Sequence, residues 1–410
     1  MKISNPWRGL RGLPIEVWVV SGTTLVNRMG TMVLPFLVLY LTQHLGYDAR
    51  VAGAVIAVYG IGGLVSSPFS GKLCDRMGAL RVMRLSLFLS GGLLLLFPLV
   101  RRLELVFALT ALWAVVGEAV RPASLSALTG NIAPEQRKAA IALNRLAINL
   151  GMSIGPAVGG FLAMFSFPLL FVVDGVSSLL AATVLAVTLW RIGPRLRAAE
   201  AHAAAQHAAH GSVAGVLRDR KMLAFLFAML LVGIVFLQHE AALPLFLVRD
   251  LGLPTSFYGM LFVVNTLLIV ALEVPLNLAT GHWSHRRALT TGALLCAAGF
   301  GLLSFVTGAW GVVATTLVWT FGEMVYFPVS ATYVADVAPP ARRGEYMGAY
   351  STAWGLAFTV GPWLGTAVME QWGPPTLWGG TFLVGVAAAA VMARVAGREG
   401  APVPAAVAAA

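Results

Sequence analysis

The chain has 410 residues, 58% hydrophobic and only 11% charged, against about a quarter charged in soluble domains; this excludes a soluble protein and supplies about twelve spans of about 20 apolar residues. Two cysteines, Cys74 and Cys296, are too few for a disulfide framework or a structural zinc site. The formal net charge of +11 is scattered in short clusters between apolar runs, a pattern of membrane topology rather than of nucleic-acid binding.

Charged clusters and Gly/Pro punctuation divide the chain into twelve apolar segments, at about 15–43, 50–72, 81–100, 104–132, 136–164 and 167–192, then 221–248, 255–281, 287–308, 310–336, 342–370 and 373–395. The first is longer than a signal-peptide core and lacks a cleavage pattern, so it reads as a retained helix. The expected fold is an all-α membrane protein with twelve transmembrane helices in two six-helix bundles, 1–192 and 221–398. A linker at 193–220 joins them and a low-complexity, mobile tail follows at 399–410. In the linker, His202, His207 and His210 offer only one pair at a spacing that a helical zinc site uses, so it reads as solvated linker, with no metal. Lys and Arg number 21 on one set of connections and four on the other. That asymmetry predicts a multi-pass protein of the cytoplasmic membrane with both termini and the linker on the cytoplasmic side. Trp18, Trp190, Trp310 and Trp372, near segment ends, read as interface anchors.

The halves repeat each other at separations of 205 to 210 residues. Pro35-Phe-Leu-Val-Leu-Tyr40 is echoed by Pro244-Leu-Phe-Leu-Val248, each followed by a Leu-Gly pair. Gly71-Lys-Leu-Cys-Asp75-Arg76 is echoed by Gly281-His-Trp-Ser-His285-Arg286. Trp113, Gly117-Glu118 and Pro122 return as Trp319, Gly322-Glu323 and Pro328. Ala133-Pro134, Arg137-Lys138, Gly155-Pro156 and Gly159 return as Ala338-Pro339, Arg342-Arg343, Gly361-Pro362 and Gly365. Six spans per copy is an even number, so the copies keep one orientation and are related by an axis along the membrane normal.

With these residues in view, the sequence resembles the major facilitator superfamily over essentially its whole length. Gly71-Lys-Leu-Cys-Asp75-Arg76-Met-Gly78-Ala-Leu-Arg81 is similar to that superfamily's signature between helices two and three. The resemblance implies a gating role, Asp75 locking one conformation and releasing in the other. The fifth segment carries Gly151-x-x-x-Gly155-Pro156-x-x-Gly159-Gly160, similar to the signature of the drug:proton antiporter branch, with Ala142 where an earlier glycine is expected. Independently of family, glycines four apart let helix backbones approach closely, and Pro156 bends the helix. Asn27-Arg28-Met29-Gly30 is similar to the first helix of proton-coupled peptide symporters, without their doubled acidic signature.

A charge at membrane depth costs about 2.5–3.5 kcal/mol on the insertion scale, which makes each one a functional candidate. The first half holds Arg28, Glu118, Arg121, Arg145 and Asp174; the second holds Glu240, Glu273 and Glu323, with no basic residue expected at membrane depth. The resemblance implies that helices one, four, seven and ten line a central cavity, which collects Arg28, Glu118, Glu240 and Glu323. Glu118 and Arg121, three apart, are spaced to pair locally. Asp174 reads as a helix-packing residue. Glu323 and Glu240 are the leading proton-coupling candidates because nothing basic at membrane depth in their own half is expected to neutralise them, and Glu118 is the third. Asn27, Asn144, Asn149, Gln238, His239, Trp319, Tyr326, Tyr350 and Trp354 suit an amphipathic organic ligand by stacking and hydrogen bonding.

No phosphate-cradling glycine loop or nucleophile–base arrangement appears, so neither direct ATP drive nor an enzymatic role is expected, and no cofactor. The expectation is a monomeric secondary transporter working by alternating access, with proton-coupled efflux of hydrophobic or amphipathic small molecules. The alternatives are proton-coupled uptake of a peptide-like or anionic metabolite, and a non-transporting receptor or scaffold on a transporter fold.

Overall fold

The computed structural model describes residues 12–130, 134–204, 216, 218–339 and 342–395. Every regular element among them is helical. In chain order these are α1 (Ile15–Gly30), α2 (Val33–Leu39), α3 (Ala49–Met77), α4 (Ala79–Leu96), α5 (Leu103–Gly117), α6 (Val120–Gly130), α7 (Pro134–Phe165) and α8 (Phe167–Ala204). They continue as α9 (Arg220–Phe236), α10 (Ala242–Leu245), α11 (Thr255–Thr280), α12 (His285–Gly301), α13 (Ala309–Val337) and α14 (Arg343–Val395). Eleven stretches of the described residues are long and apolar enough to cross a membrane. The last of them, α14, contains two spans, because Gly373 at φ 81° and ψ 166° breaks it where the sixth span of the second half begins. Twelve spans result. The predicted linker is helical at its start, since α8 runs through Ala204; its Ala-rich sequence favours helix over coil. His207, His210 and the 399–410 tail lie outside the described residues, as do the side chains of Asp75, Arg137, Lys138, Trp190 and His202.

The chain divides into two compact units, Met1–Phe36 with Val58–Ala209, and Leu37–Ala57 with His210–Ala410. In the first, α1 packs on α7 and α8, and α4 packs on α8, α5 and α6. The glycines of the fifth span make the α1–α7 contact possible. A Cβ at Gly155 would stand 2.8 Å from the Thr31 carbonyl oxygen and 2.9 Å from that of Arg28, and one at Gly159 would stand 2.7 Å from the Met32 Cβ. In the second unit, α9 packs on α14, and α12 on α13 and α14. The segment 37–57 belongs here because Gly53 admits Trp363 of α14, whose Cα would lie 3.1 Å from a Cβ at that position. The Arg50 guanidinium also donates to the Gln371 amide oxygen at 3.4 Å.

The sequence repeat reappears as repeated local geometry. The first span breaks at Thr31–Met32, resumes as α2 and ends in a π-turn over Tyr40–His44; the seventh breaks at Leu237–Ala241, resumes as α10 and ends in a π-turn over Phe246–Asp250. Each π-turn is stopped by the glycine of the repeated Leu-Gly pair, Gly46 at φ 75° and Gly252 at φ 65°, a conformation that L side chains resist. The break in the first span frees backbone amides, and Asp174 of α8 accepts those of Met32 and Val33, both at 3.3 Å. A buried carboxylate thus satisfies donors that would otherwise be orphaned at a helix start.

Candidate functional site

The charged residues of the first unit gather around α1, α3 and the junction of α5 and α6. The fourth span is interrupted at Glu118–Ala119, so that Glu118 caps α5 rather than continuing it. Its Oε1 accepts from the Tyr59 hydroxyl of α3 at 2.9 Å, and Tyr59 packs edge-on against Trp113 at 4.8 Å between ring centroids. Among the described residues no ion pair joins Glu118 to Arg121: the helix break intervenes, and Arg121 is exposed. Half-buried Arg28 leaves its Nε without a hydrogen-bond partner among the described residues. Asn27 donates to Ser178 Oγ at 3.1 Å. Asn144 is buried with its Oδ1 unpartnered among the described residues, while Arg145 and Asn149 are exposed. Tyr59 is the member of this cluster that sequence reasoning passed over, because a lone tyrosine in an apolar span carries no signal of its own.

In the second unit, α9, α12, α13 and α14 build an aromatic wall, beside which α11 and α13 each place a carboxyl group. Trp319 meets Phe236 edge-on at 5.7 Å and stacks on Phe300 at 5.7 Å and on His239 at 6.1 Å. Phe327 stands edge-on to Phe236 at 5.0 Å and to Trp354 at 5.1 Å. Glu323 Oε2 accepts from the Asn265 amide at 2.8 Å, and the same amide donates to Thr320 Oγ1 at 3.0 Å. No cation pairs with Glu323 or with half-buried Glu273 among the described residues. Tyr350 shares a hydrogen bond with Ser330 at 3.0 Å. Tyr326 is fully buried against Gly292 with its hydroxyl unpartnered among the described residues.

The Gln238-His239-Glu240 triplet occupies the 3₁₀ interruption of the seventh span, and its three side chains part company there. Gln238 is buried and donates to the carbonyls of Ile234 and Gly361, both at 2.8 Å, filling space that Gly365 leaves open. His239 Nδ1 lies 2.7 Å from the Phe236 carbonyl oxygen, and its Nε2 lies 3.3 Å from Glu240 Oε1. The expectation that nothing basic answers Glu240 in its own half is corrected by the imidazole of His239 beside it. At the far end of the same span, Arg249 pairs with Glu370 at 2.7 Å and with Asp250 at 3.2 Å.

Around the predicted gating motif, Gly78 takes φ 87° and turns the chain from α3 into α4, while Arg76 and Arg81 are exposed and Gly71 faces open space. In the second half the corresponding turn is capped differently: Ser284 accepts from the Arg287 amide at 3.3 Å, and Arg287 lies over the Trp283 ring at 4.3 Å. His285 approaches Asp336 at 3.5 Å.

A model of the Major Facilitator Superfamily matches residues 20–254 and 240–408. The chain is 26% identical over 387 residues to the uncharacterized MFS-type transporter YqjV of Bacillus subtilis, covering 90% of this chain and 88% of that protein. It is 24% identical to a Na(+), Li(+), K(+)/H(+) antiporter of Planococcus maritimus, covering 88% and 90%, and 22% identical to Multidrug resistance protein 2 of Bacillus subtilis, covering 78% and 80%. Among solved structures, it superposes on the nucleoside transporter NupG with a TM-score of 0.78 at 13% identity, covering 94% of this chain and 99% of that one. The peptide transporter POT in complex with sulfate gives 0.73 at 17% identity, covering 96% and 97%.

Proposed function

The chain belongs to the Major Facilitator Superfamily and is a multi-pass secondary transporter of that type rather than an enzyme, and from this premise we propose that it exports hydrophobic or amphipathic small molecules in exchange for protons. The observation that carries the reading is Glu323, half-buried beside an aromatic wall, with Asn265 as its only hydrogen-bond partner and no cation against it among the described residues. Such a carboxyl can exchange a proton for a positively charged or hydrogen-bonding ligand without first breaking an ion pair, and the rings of Trp319, Phe327 and Trp354 suit an apolar or cationic body. The antiporter and multidrug names among the relatives support the same reading. In this reading the protein acts as a monomer in the cytoplasmic membrane with both termini in the cytoplasm, and Asp75 gates the exchange.

A second reading, proton-coupled uptake of an anionic or peptide-like metabolite, is favoured by one observation: the unpartnered Nε of Arg28. The two are separated by screening purified protein for ligands that raise its melting temperature, lipophilic cations against organic anions. Hits are followed by flux in proteoliposomes with an imposed pH gradient. Glu323→Gln is expected to abolish gradient-driven accumulation while retaining exchange, since glutamine keeps shape and hydrogen bonding but cannot titrate. Undiminished accumulation in that variant, or stabilisation by anions only, overturns the export reading.

A further inference from the structure

The interruption of the seventh span holds a second titratable site whose chemistry follows from one carbonyl. The Phe236 carbonyl oxygen only accepts hydrogen bonds, so His239 Nδ1, 2.7 Å away, must carry a proton. In the neutral imidazole Nε2 is then the acceptor, and it lies 3.3 Å from Glu240 Oε1. Two acceptors at that distance repel each other unless one of them is protonated. The pair must hold one proton beyond that on Nδ1, either on Glu240 facing a neutral ring or on Nε2 facing a carboxylate. Both forms are net neutral, and both side chains are little exposed, at 14% and 12%.

We infer that His239 and Glu240 form a proton-binding dyad, separate from Glu323, whose occupancy holds the 3₁₀ turn between α9 and α10 in its present shape. Losing the proton to water leaves a net charge of −1 and no arrangement that keeps both contacts. If Nδ1 keeps its proton, Nε2 faces a bare carboxylate; if the tautomer switches, Nδ1 loses its bond to Phe236. Either way the turn is released where the span leaves α-helical geometry, with Ala241 at φ −135° and ψ −56°. The remaining ties of the turn come from groups outside the dyad: Gln238 bonds the Ile234 and Gly361 carbonyls, and the Tyr258 hydroxyl of α11 donates to the His239 carbonyl at 2.9 Å. The ionisable groups turned toward the dyad from neighbouring elements are Tyr258 on α11 and Glu323 on α13; Trp319 and Phe262 supply only ring faces and edges. The inference rests on the proton-coupled reading for the role of this proton in transport, but not for its existence.

The test is nitrogen NMR on the full-length protein in lipid nanodiscs, labelled with 15N-histidine, with the His239 signals assigned as those missing from His239→Gln. While the dyad holds its proton, Nδ1 is expected to be protonated and Nε2 to report a proton shared with a carboxyl group, and raising the pH in the wild type should remove that Nε2 signature. That Nε2 signature is expected to vanish in Glu240→Gln and to survive in Glu323→Gln. An Nε2 signal unchanged by Glu240→Gln, or an Nδ1 that is unprotonated at the low-pH end of the titration, overturns the dyad. A second readout follows the hinge, using Ala241→Cys in a background lacking Cys74 and Cys296. Its alkylation rate, taken relative to a free thiol, should rise several-fold as the dyad deprotonates and lose that rise when Glu240→Gln is added; a rise that persists refutes the link between proton and turn. Neither readout involves accumulation, so a transporter that fails the Glu323 test leaves the dyad standing, and the converse also holds.

Discussion

Replacing Gly155 with alanine tests the claim that the fifth span's glycines exist to seat the broken end of α1. The added Cβ would meet three carbonyl oxygens at once, of Thr31 at 2.8 Å, Arg28 at 2.9 Å and Met29 at 3.2 Å. All three are backbone atoms, so no rotamer change relieves the contact and α7 must move away from α1. Overpacking of this kind costs about 1–3 kcal/mol, and the better helix propensity of alanine returns up to about 1 kcal/mol. A net loss of about 1–2 kcal/mol corresponds to a melting temperature lower by about 2–8 °C for a unit of this size. Displacing the end of α1 also disturbs the amides that Asp174 receives, which pushes the loss upward. Thermal melts in detergent, followed by tryptophan fluorescence, measure it. Gly92→Ala is the reference, because a Cβ there meets nothing within 4 Å and alanine should leave stability unchanged or raised. A Gly155→Ala protein as stable as Gly92→Ala would refute the packing argument.

Asp174→Ala leaves the Met32 and Val33 amides without an acceptor, at about 1–3 kcal/mol for each unpaired group; its melting temperature should fall clearly below that of Asp174→Asn, which keeps an acceptor oxygen. Asp75→Asn is expected to slow flux at normal protein level while preserving ligand-induced stabilisation, because its motif lies at the turn between α3 and α4; normal flux removes the gating role. Single cysteines placed in 193–220 should resist an impermeant reagent in intact cells, and their modification there would reverse the assigned orientation. Glu370→Gln breaks the 2.7 Å contact with Arg249, but the pair is partly exposed, so the melting temperature should hardly change; a large drop would mean that the pair is buried more deeply than this geometry indicates.

The sequence by itself determined the twelve spans, the repeat of its motifs between the two halves and the identity of the charged residues inside the spans. Each of those is local or additive: about 20 apolar residues in a row have no other stable environment, and a repeat is visible at fixed separation whatever it folds into. It also announced the Leu-Gly pairs that end the first and seventh spans, because glycine is the residue that tolerates the positive φ adopted by Gly46 and Gly252. Tertiary structure alone decided which charges meet. Spacing suggested that Glu118 would pair with Arg121, yet a break at Glu118–Ala119 turns the carboxylate to Tyr59, 59 positions away along the chain. Asp174 serves amides 142 and 141 positions away. His239 became the partner of Glu240 because the span leaves α-helical geometry there. Helix breaks arise when a neighbouring helix satisfies the freed backbone groups, and a neighbour distant in sequence leaves no periodicity from which it can be read.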